Sequence, residues 1–218
     1  MASTASALSL DGIDASDRSG YSVSDAGDVN GDGFDDLLVG AFRATVNGNS
    51  QAGESYVVFG KASGFTAGLD LSALDSTDGF RLDGIDGSDR SGRSVSGAGD
   101  VDGDGFADLI IGAYRADPNG NSSAGESYVV FGFDSGAVTH QGTGAAETLT
   151  GDGAANVIIG DLGADTLVGG GGADALRGGA GDDILDVADL SFLKLDGGTG
   201  SDSLRLSGAG LNLDFTAV

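Results

Sequence analysis

The sequence predicts an all-β chain built from two successive repeat systems. Three observations carry that expectation. Short runs rich in β-branched and aromatic residues, such as "YSVSDA", "DLLVGAF" and "ESYVVFG", are separated by clusters of Gly, Asn, Asp and Ser, the pattern of strands joined by turns. No window carries apolar residues at helical period. Near residue 137 the self-similarity of the chain changes from a long repeat to one of nine residues.

The first half aligns on itself. "LSLDGIDASDRSGYSVSDAGDVNGDGFDDLLVGAFRA" begins at Leu8 and "FRLDGIDGSDRSGRSVSGAGDVDGDGFADLIIGAYRA" at Phe80, a period of 80 − 8 = 72 residues, and both units finish with "AGESYVVFG". Four strands per unit at this spacing suit a propeller blade, whose sheets pack radially. The expected organisation is a first domain over 1–136, with blades at 8–79 and 80–136, a linker at 137–141, and a second domain over 142–218. A closed propeller has about 4 to 8 blades, so two blades make only part of one.

Each blade contains a loop dense in oxygen donors. In "DVNGDGFDD", Asp28, Asn30, Asp32 and Asp36 occupy positions 1, 3, 5 and 9, and Asp100, Asp102, Asp104 and Asp108 repeat those places in "DVDGDGFAD". Glycine at position 6 permits a sharp turn. At position 7, Phe34 or Phe106 would add a backbone carbonyl while its ring packs inward. Hard oxygen ligands converging on one point suit calcium, which takes about 6 to 8 of them, better than magnesium with its strict octahedron. An EF-hand would need Glu at position 12 on an exiting helix. That position is Val39 in one loop and Ile111 in the other, so the loop is expected to feed a strand.

The second half runs in frames of nine starting at Gly142, Gly151, Gly160, Gly169 and Gly178. The ten residues "VADLSFLKLD" then intervene, and "GGTGSDSLR" resumes at Gly197. The later frames fit G-G-x-G-x-D-x-U-x, with U a large aliphatic residue, a calcium-binding parallel β-helix repeat. Glu147 and Asn156 stand in the aspartate place of the first two frames.

These stretches carry two family resemblances. "SGYSVS…DVNGDGFDDLLVGAFRA" and "SGRSVS…DVDGDGFADLIIGAYRA" resemble the FG-GAP repeats of integrin α-subunit propellers, with Ser19-Gly20 and Ser91-Gly92 in the "FG" place and Gly40-Ala41-Phe42 and Gly112-Ala113-Tyr114 in the "GAP" place. The nonapeptides resemble the hemolysin-type β-roll of RTX proteins. That resemblance implies that two frames make one coil and that calcium sits between a turn and the one two frames along. It also implies that Asp165, Asp174, Asp183 and Asp202 are ligands and that Leu167, Leu176, Leu185 and Leu204 point inward. Asp165 and Asp183 would share a stack, and the ten-residue interruption is expected to disturb the stack at Asp202.

Composition narrows the function. With 34 Asp and Glu against 10 Lys and Arg, the formal net charge is −24, which disfavours nucleic acid and anionic membranes as partners and favours cations. There is no cysteine, so neither disulfides nor thiolate metal sites are available. No stretch approaches the roughly 18 apolar residues of a membrane span, and "MASTASALSLDGIDASD" lacks the features of a conventional signal peptide. Arg18 and Arg90, both in "SDRSG", are expected to pair with carboxylates. His140 is the only histidine, an exposed residue rather than a catalytic base, and no catalytic constellation is visible. The expectation is a non-enzymatic calcium-binding segment of a larger secreted bacterial-type protein, exported by type I secretion and adhesive toward a host or matrix protein or glycan. The alternative is a calcium-stabilised, non-catalytic region of a secreted hydrolase.

Overall fold

The computed structural model describes residues 7–65 and 68–209. The chain divides into two compact units, with the last boundary after Gly132. Both are made of strands.

The first unit holds β1 (Ser9–Asp11), β2 (Ser22–Gly27), β3 (Asp36–Ala41), β4 (Glu54–Val58), β5 (Gly68–Asp70), β6 (Gly79–Asp83), β7 (Ser94–Gly99), β8 (Asp108–Ala113) and β9 (Glu126–Val130). They form two blade-like antiparallel sheets, β2-β3-β4-β6 and β7-β8-β9. Four strands from each repeat were expected. The fourth strand of the first sheet comes instead from the second repeat: β6 lies on β4 with Phe80 opposite Val57 and Asp83 opposite Glu54. Its counterpart in the first repeat, β1, pairs in parallel with β5. Periodicity shows where strands occur. Which edge a strand joins depends on residues far away in sequence, and no local pattern records it.

Alternation along the strands sends one set of side chains to each face. Ala26, Leu38, Val57, Val95, Leu109 and Ile111 belong to one buried cluster. Val39, Ala41, Tyr56, Val58 and Leu71 belong to another. The pentapeptide "ESYVV" occurs as both β4 and β9. All of β4 is buried, whereas β9 alternates between partly buried and exposed, because β4 is packed on both faces, Val57 in the first cluster and Tyr56 and Val58 in the second, whereas Val130 of β9 packs against the first cluster and Val129, on the other face, is exposed.

The second unit is a parallel solenoid of about 4 turns over residues 140–206. Its strands are β10 (His140–Gln141), β11 (Thr148–Thr150), β12 (Val157–Ile159), β13 (Thr166–Gly170), β14 (Ala175–Arg177), β15 (Ile184–Val187), β16 (Lys194–Asp196) and β17 (Ser203–Leu206). Alternate frames build two sheets, β10-β12-β14-β16 and β11-β13-β15-β17. His140 and Gln141, read from the sequence as linker, are the first of these strands and pair with Ile158 and Ile159. A two-residue strand is recognisable only once the next coil lies on it. Ile158, Leu167, Leu176, Leu185 and Val187 fill the interior.

The ten-residue interruption does not break the stack. It forms a frame one residue longer than the others, placing Lys194 opposite Ala175 and Leu195 opposite Leu176. Leu204 departs from expectation, being 43% exposed; it lies on the last described coil.

Between coils the backbone approaches closely at the turns. Gly181 has φ +146°, and a Cβ there would lie 1.6 Å from the Gly163 carbonyl oxygen. By contrast, Gly48 at φ +87° has open space around it. We expect Gly181→Ala to lower the unfolding free energy of the solenoid by about 3 kcal/mol or more and Gly48→Ala to cost about 1 kcal/mol in its own unit, as read by denaturant titration in calcium.

Candidate metal centres

In the blades, the acidic loop sits between β2 and β3 and recurs between β7 and β8. A β-bulge precedes each, at Asp25/Gly27 and at Gly97/Gly99, and re-aims the chain into the loop. The position-6 glycines, Gly33 at φ +94° and Gly105 at φ +85°, take the left-handed turn. Position 12 falls in β3 and β8, where Val39 and Ile111 are buried, so the loop is not an EF-hand.

The position-9 aspartates have a role that spacing alone did not reveal. Asp36 is fully buried; its Oδ2 accepts the Val29 N–H at 2.9 Å and its Oδ1 the Gly60 N–H at 2.8 Å. Asp108 does the same with Val101 at 2.6 Å and Gly132 at 2.9 Å. Each carboxylate therefore ties the start of its loop to the end of the blade's third strand.

In the second loop, carboxylate oxygens of Asp100, Asp102 and Asp108 lie within 4.8 Å of one another. Asp104 is not in that group, and its Oδ1 accepts the Phe106 N–H at 3.0 Å. In the first loop Asp28 and Asn30 are buried at 2% and 4% exposure. The Asn30 Oδ1 accepts the Asp32 N–H at 3.1 Å, and its Nδ2 donates to Asp32 Oδ2 at 3.1 Å. The Phe106 ring is buried and Phe34 partly buried.

In the solenoid, the motif aspartates form a ladder. Asp165 Oδ1 accepts the Glu147 N–H at 2.7 Å, Asp183 Oδ1 accepts the Asp165 N–H at 2.7 Å, and Asp202 Oδ1 accepts the Asp183 N–H at 3.0 Å. Asp174 Oδ1 takes the Asn156 N–H at 2.9 Å on the alternate frames. Asp202 thus stays in the stack despite the long frame, and Glu147 and Asn156 hold the same places as the aspartates they replace. The second oxygens of Asp165 and Asp183 are buried without a hydrogen-bond partner. A buried carboxylate oxygen left bare costs free energy, and calcium is a hard acceptor of such oxygens. The donor set fits that ion.

One acidic residue was missed. Asp189, in the irregular frame, accepts the Gly172 N–H at 3.2 Å, and its charge bears on Asp174. It lies outside the nine-residue register, so counting frames passes over it.

Burial pushes the carboxyls of Asp165, Asp174 and Asp183 above the ordinary value of 3.8, with neighbouring carboxylates adding to the rise. A carboxyl raised in the folded state favours folding when protonated. Its contribution is fully present below 3.8 and is lost as pH climbs through the raised values. In chelator, the β-structure of the solenoid should therefore rise as pH falls from neutrality toward that value. With calcium the stability trend should reverse, because protons compete with the ion. Circular dichroism at stepped pH in chelator, and melts at the same pH values in calcium, check both signs.

Arg18 and Arg90 do not pair with carboxylates among the described residues. Instead, Arg90 donates to Gln51 Oε1 from Nε at 3.2 Å and from Nη2 at 3.0 Å, and to the Tyr114 hydroxyl at 2.8 Å.

Residues 19–58 and 91–130 match the FG-GAP repeat, and residues 141–176 and 159–188 match the RTX calcium-binding nonapeptide repeat. Among known proteins, the chain is similar to Integrin alpha-5 of Xenopus laevis, 33% identical over 114 residues, which is 50% of this chain and 10% of that protein. It is also similar to Integrin alpha-PS2 of Drosophila melanogaster, 34% identical over 121 residues, covering 54% of this chain and 8% of that protein. The chain spans a tenth or less of the length of these relatives, and they align over the FG-GAP region. Both repeat types are typical of extracellular proteins and are typically non-catalytic structural modules. No helix among the described residues is long and apolar enough to cross a membrane.

Proposed function

We propose that this chain, in which FG-GAP repeats are followed by RTX calcium-binding nonapeptide repeats, is a calcium-stabilised structural and adhesive segment of a protein secreted by a type I route. The observation that carries the reading is the aspartate ladder, in which Asp165 and Asp183 each spend one oxygen on a neighbouring coil and keep the other buried and bare. When bound, calcium would neutralise those carboxylates and fix the turns. Asp165, Asp174, Asp183 and Asp202 would hold it in the roll. In the blades the holders would be Asp28, Asn30, Asp32, the Phe34 carbonyl and Asp36, with Asp100, Asp102, Asp104, the Phe106 carbonyl and Asp108 as their counterparts. Low calcium inside a cell would leave the chain loose until export. Adhesion rests on the likeness to integrin α propellers, a fold-level warrant.

Isothermal titration of calcium into the full chain and two variants tests the ligand set. Asp104→Ala should weaken the second cage more than Asn30→Ala weakens the first, since it removes an anionic ligand rather than a neutral one. Equal effects would count against the assignment. For adhesion, the calcium-loaded chain should bind an immobilised matrix protein or glycan and release it in chelator.

A further inference from the structure

The junction between the two repeats of the first unit has two halves, and the chain carries each half twice. One half ends a repeat: "NGNSQAGESYVV" closes the first and "NGNSSAGESYVV" the second. The other half begins a repeat: "FRLDGIDGSDRS" from Phe80 and "LSLDGIDASDRS" from Leu8. In the junction that the chain makes with itself, β6 adds to β4 over the five pairs from Gly79↔Val58 to Asp83↔Glu54. Past β6 the backbone goes on docking. Gly84 N–H donates to the Gly53 carbonyl at 2.8 Å, Ser88 to Ser50 at 2.9 Å, Arg90 to Gln51 at 3.1 Å and Ser91 to Ala52 at 2.8 Å. These are main-chain bonds, open to any segment of the same shape. That shape depends on positive φ at Ser88 (74°) and Arg90 (59°), and Ser16 (77°) and Arg18 (61°) hold the same conformation in the first repeat.

The other copy of each half makes no such antiparallel junction among the described residues. Among the described residues the sheet β7-β8-β9 has three strands, which leaves β9 as its edge. Beside it Val129 is 43%, Phe131 52% and Ile85 63% exposed. Leu82, Ile111, Tyr128 and Val130 line an open groove there. At the start of the first unit, β1 holds only three parallel pairs with β5, and much of the following segment is exposed.

We propose that β9 of one copy of this chain receives the segment Leu8–Ser19 of a second copy, in the register that β6 takes on β4. Val129 then lies opposite Leu8, Tyr128 opposite Ser9, Ser127 opposite Leu10 and Glu126 opposite Asp11. The segment trades three parallel pairs for four antiparallel ones, because Ala7 stands where Gly79, at φ +148°, leaves no room for a Cβ, which would lie 2.1 Å from the Val57 carbonyl oxygen. Donor and acceptor are different faces, so association runs head to tail and closes a ring when the rotation allows. Two to four copies of a two-blade unit fall within the roughly 4 to 8 blades of a propeller. The contact is weaker than its internal template. Ser123 stands where Gln51 holds Arg90, and Ser9 where Arg81 approaches Glu54 at 3.7 Å, so assembly depends on concentration.

The absence of cysteine makes the test clean. Full-length Leu8→Cys and Val129→Cys chains are mixed in calcium and oxidised gently. A disulfide-linked pair is expected. None is expected when Leu8→Cys is mixed with Val23→Cys, which lies at an exposed position on β2. Should Leu8→Cys fail to fold, Ser9→Cys with Tyr128→Cys reads the same register. Sedimentation of the unmodified chain should show species larger than a monomer as concentration rises, and the peptide "TDGFRLDGIDGSDRS" should return them to monomer. A chain that stays monomeric at every concentration, whether or not it binds the peptide, overturns the proposal, as does equal cross-linking to Val23→Cys.

Discussion

In excess chelator, residues 140–206 are expected to lose their β-structure, and to regain it cooperatively as calcium is added while magnesium at the same concentration does little. The reason lies in how little each coil buries. One coil takes eighteen residues, as from Thr148 to Thr166, yet it contributes few large aliphatic side chains to the interior. Ordering costs about 1 to 2 kcal/mol per residue for the backbone, and glycine-rich turns lie at the costly end. The ladder adds a further penalty, because Asp165 and Asp183 are buried at 1% exposure each, which raises both carboxyls, with the charge of Asp183 adding to the rise at Asp165 and those of Asp202 and Asp182 to the rise at Asp183. An ion that binds only the folded coil returns about 4 kcal/mol per site at a thousandfold excess over its Kd, so a few sites decide whether the solenoid exists. Magnesium sheds water reluctantly and fits an all-protein cage poorly. Hydrogen exchange resolved by segment, with circular dichroism alongside, measures the effect on the whole chain. Equal protection of β11 to β17 in chelator and in calcium would sink the idea.

Asp183→Asn is expected to change sign with calcium. The asparagine carbonyl can still accept the Asp165 N–H that Asp183 Oδ1 now holds at 2.7 Å, so the coil-to-coil bond survives. What disappears is a buried charge whose second oxygen has no hydrogen-bond partner. In chelator the variant should retain more β-structure than the parent, its folded state being favoured by about 1 to 2 kcal/mol. In calcium it should be less stable by several kcal/mol, since an anionic ligand is gone. The chain already contains the neutral version: Asn156 stands in the aspartate place, accepts the Asp152 N–H at 2.9 Å and donates its own N–H to Asp174. Denaturant titration in calcium and the circular-dichroism β-signal in chelator read the two effects. A loss of stability in both conditions would mean that the carboxylate is needed for the fold and not for the ion.

Local chemistry made much of this protein legible from its residues alone. Strands fall where alternating apolar runs stand between turn residues, because a side-chain period of two leaves one face for a core. Gly33 and Gly105 turn the acidic loops because a side chain is strained at their positive φ, and Val39 and Ile111 send those loops into strands rather than a helix. The frames of nine wind into a solenoid because glycine at the turns allows coils to stack closely. Each of these rests on contacts within a few residues. Tertiary structure decided the rest. "ESYVV" is buried as β4 and half-exposed as β9, though the residues are the same. Asp202 keeps its place because the stack absorbs one extra residue at β16. Asp36 and Asp108 reach backbone amides twenty-four residues away, and Arg90 meets Gln51 and Tyr114 where a carboxylate was expected. Sequence periodicity determines which way a side chain points from its own backbone; what it meets there depends on which distant segment covers that edge or coil, and that is settled only when the whole chain competes for the same hydrogen-bonding groups.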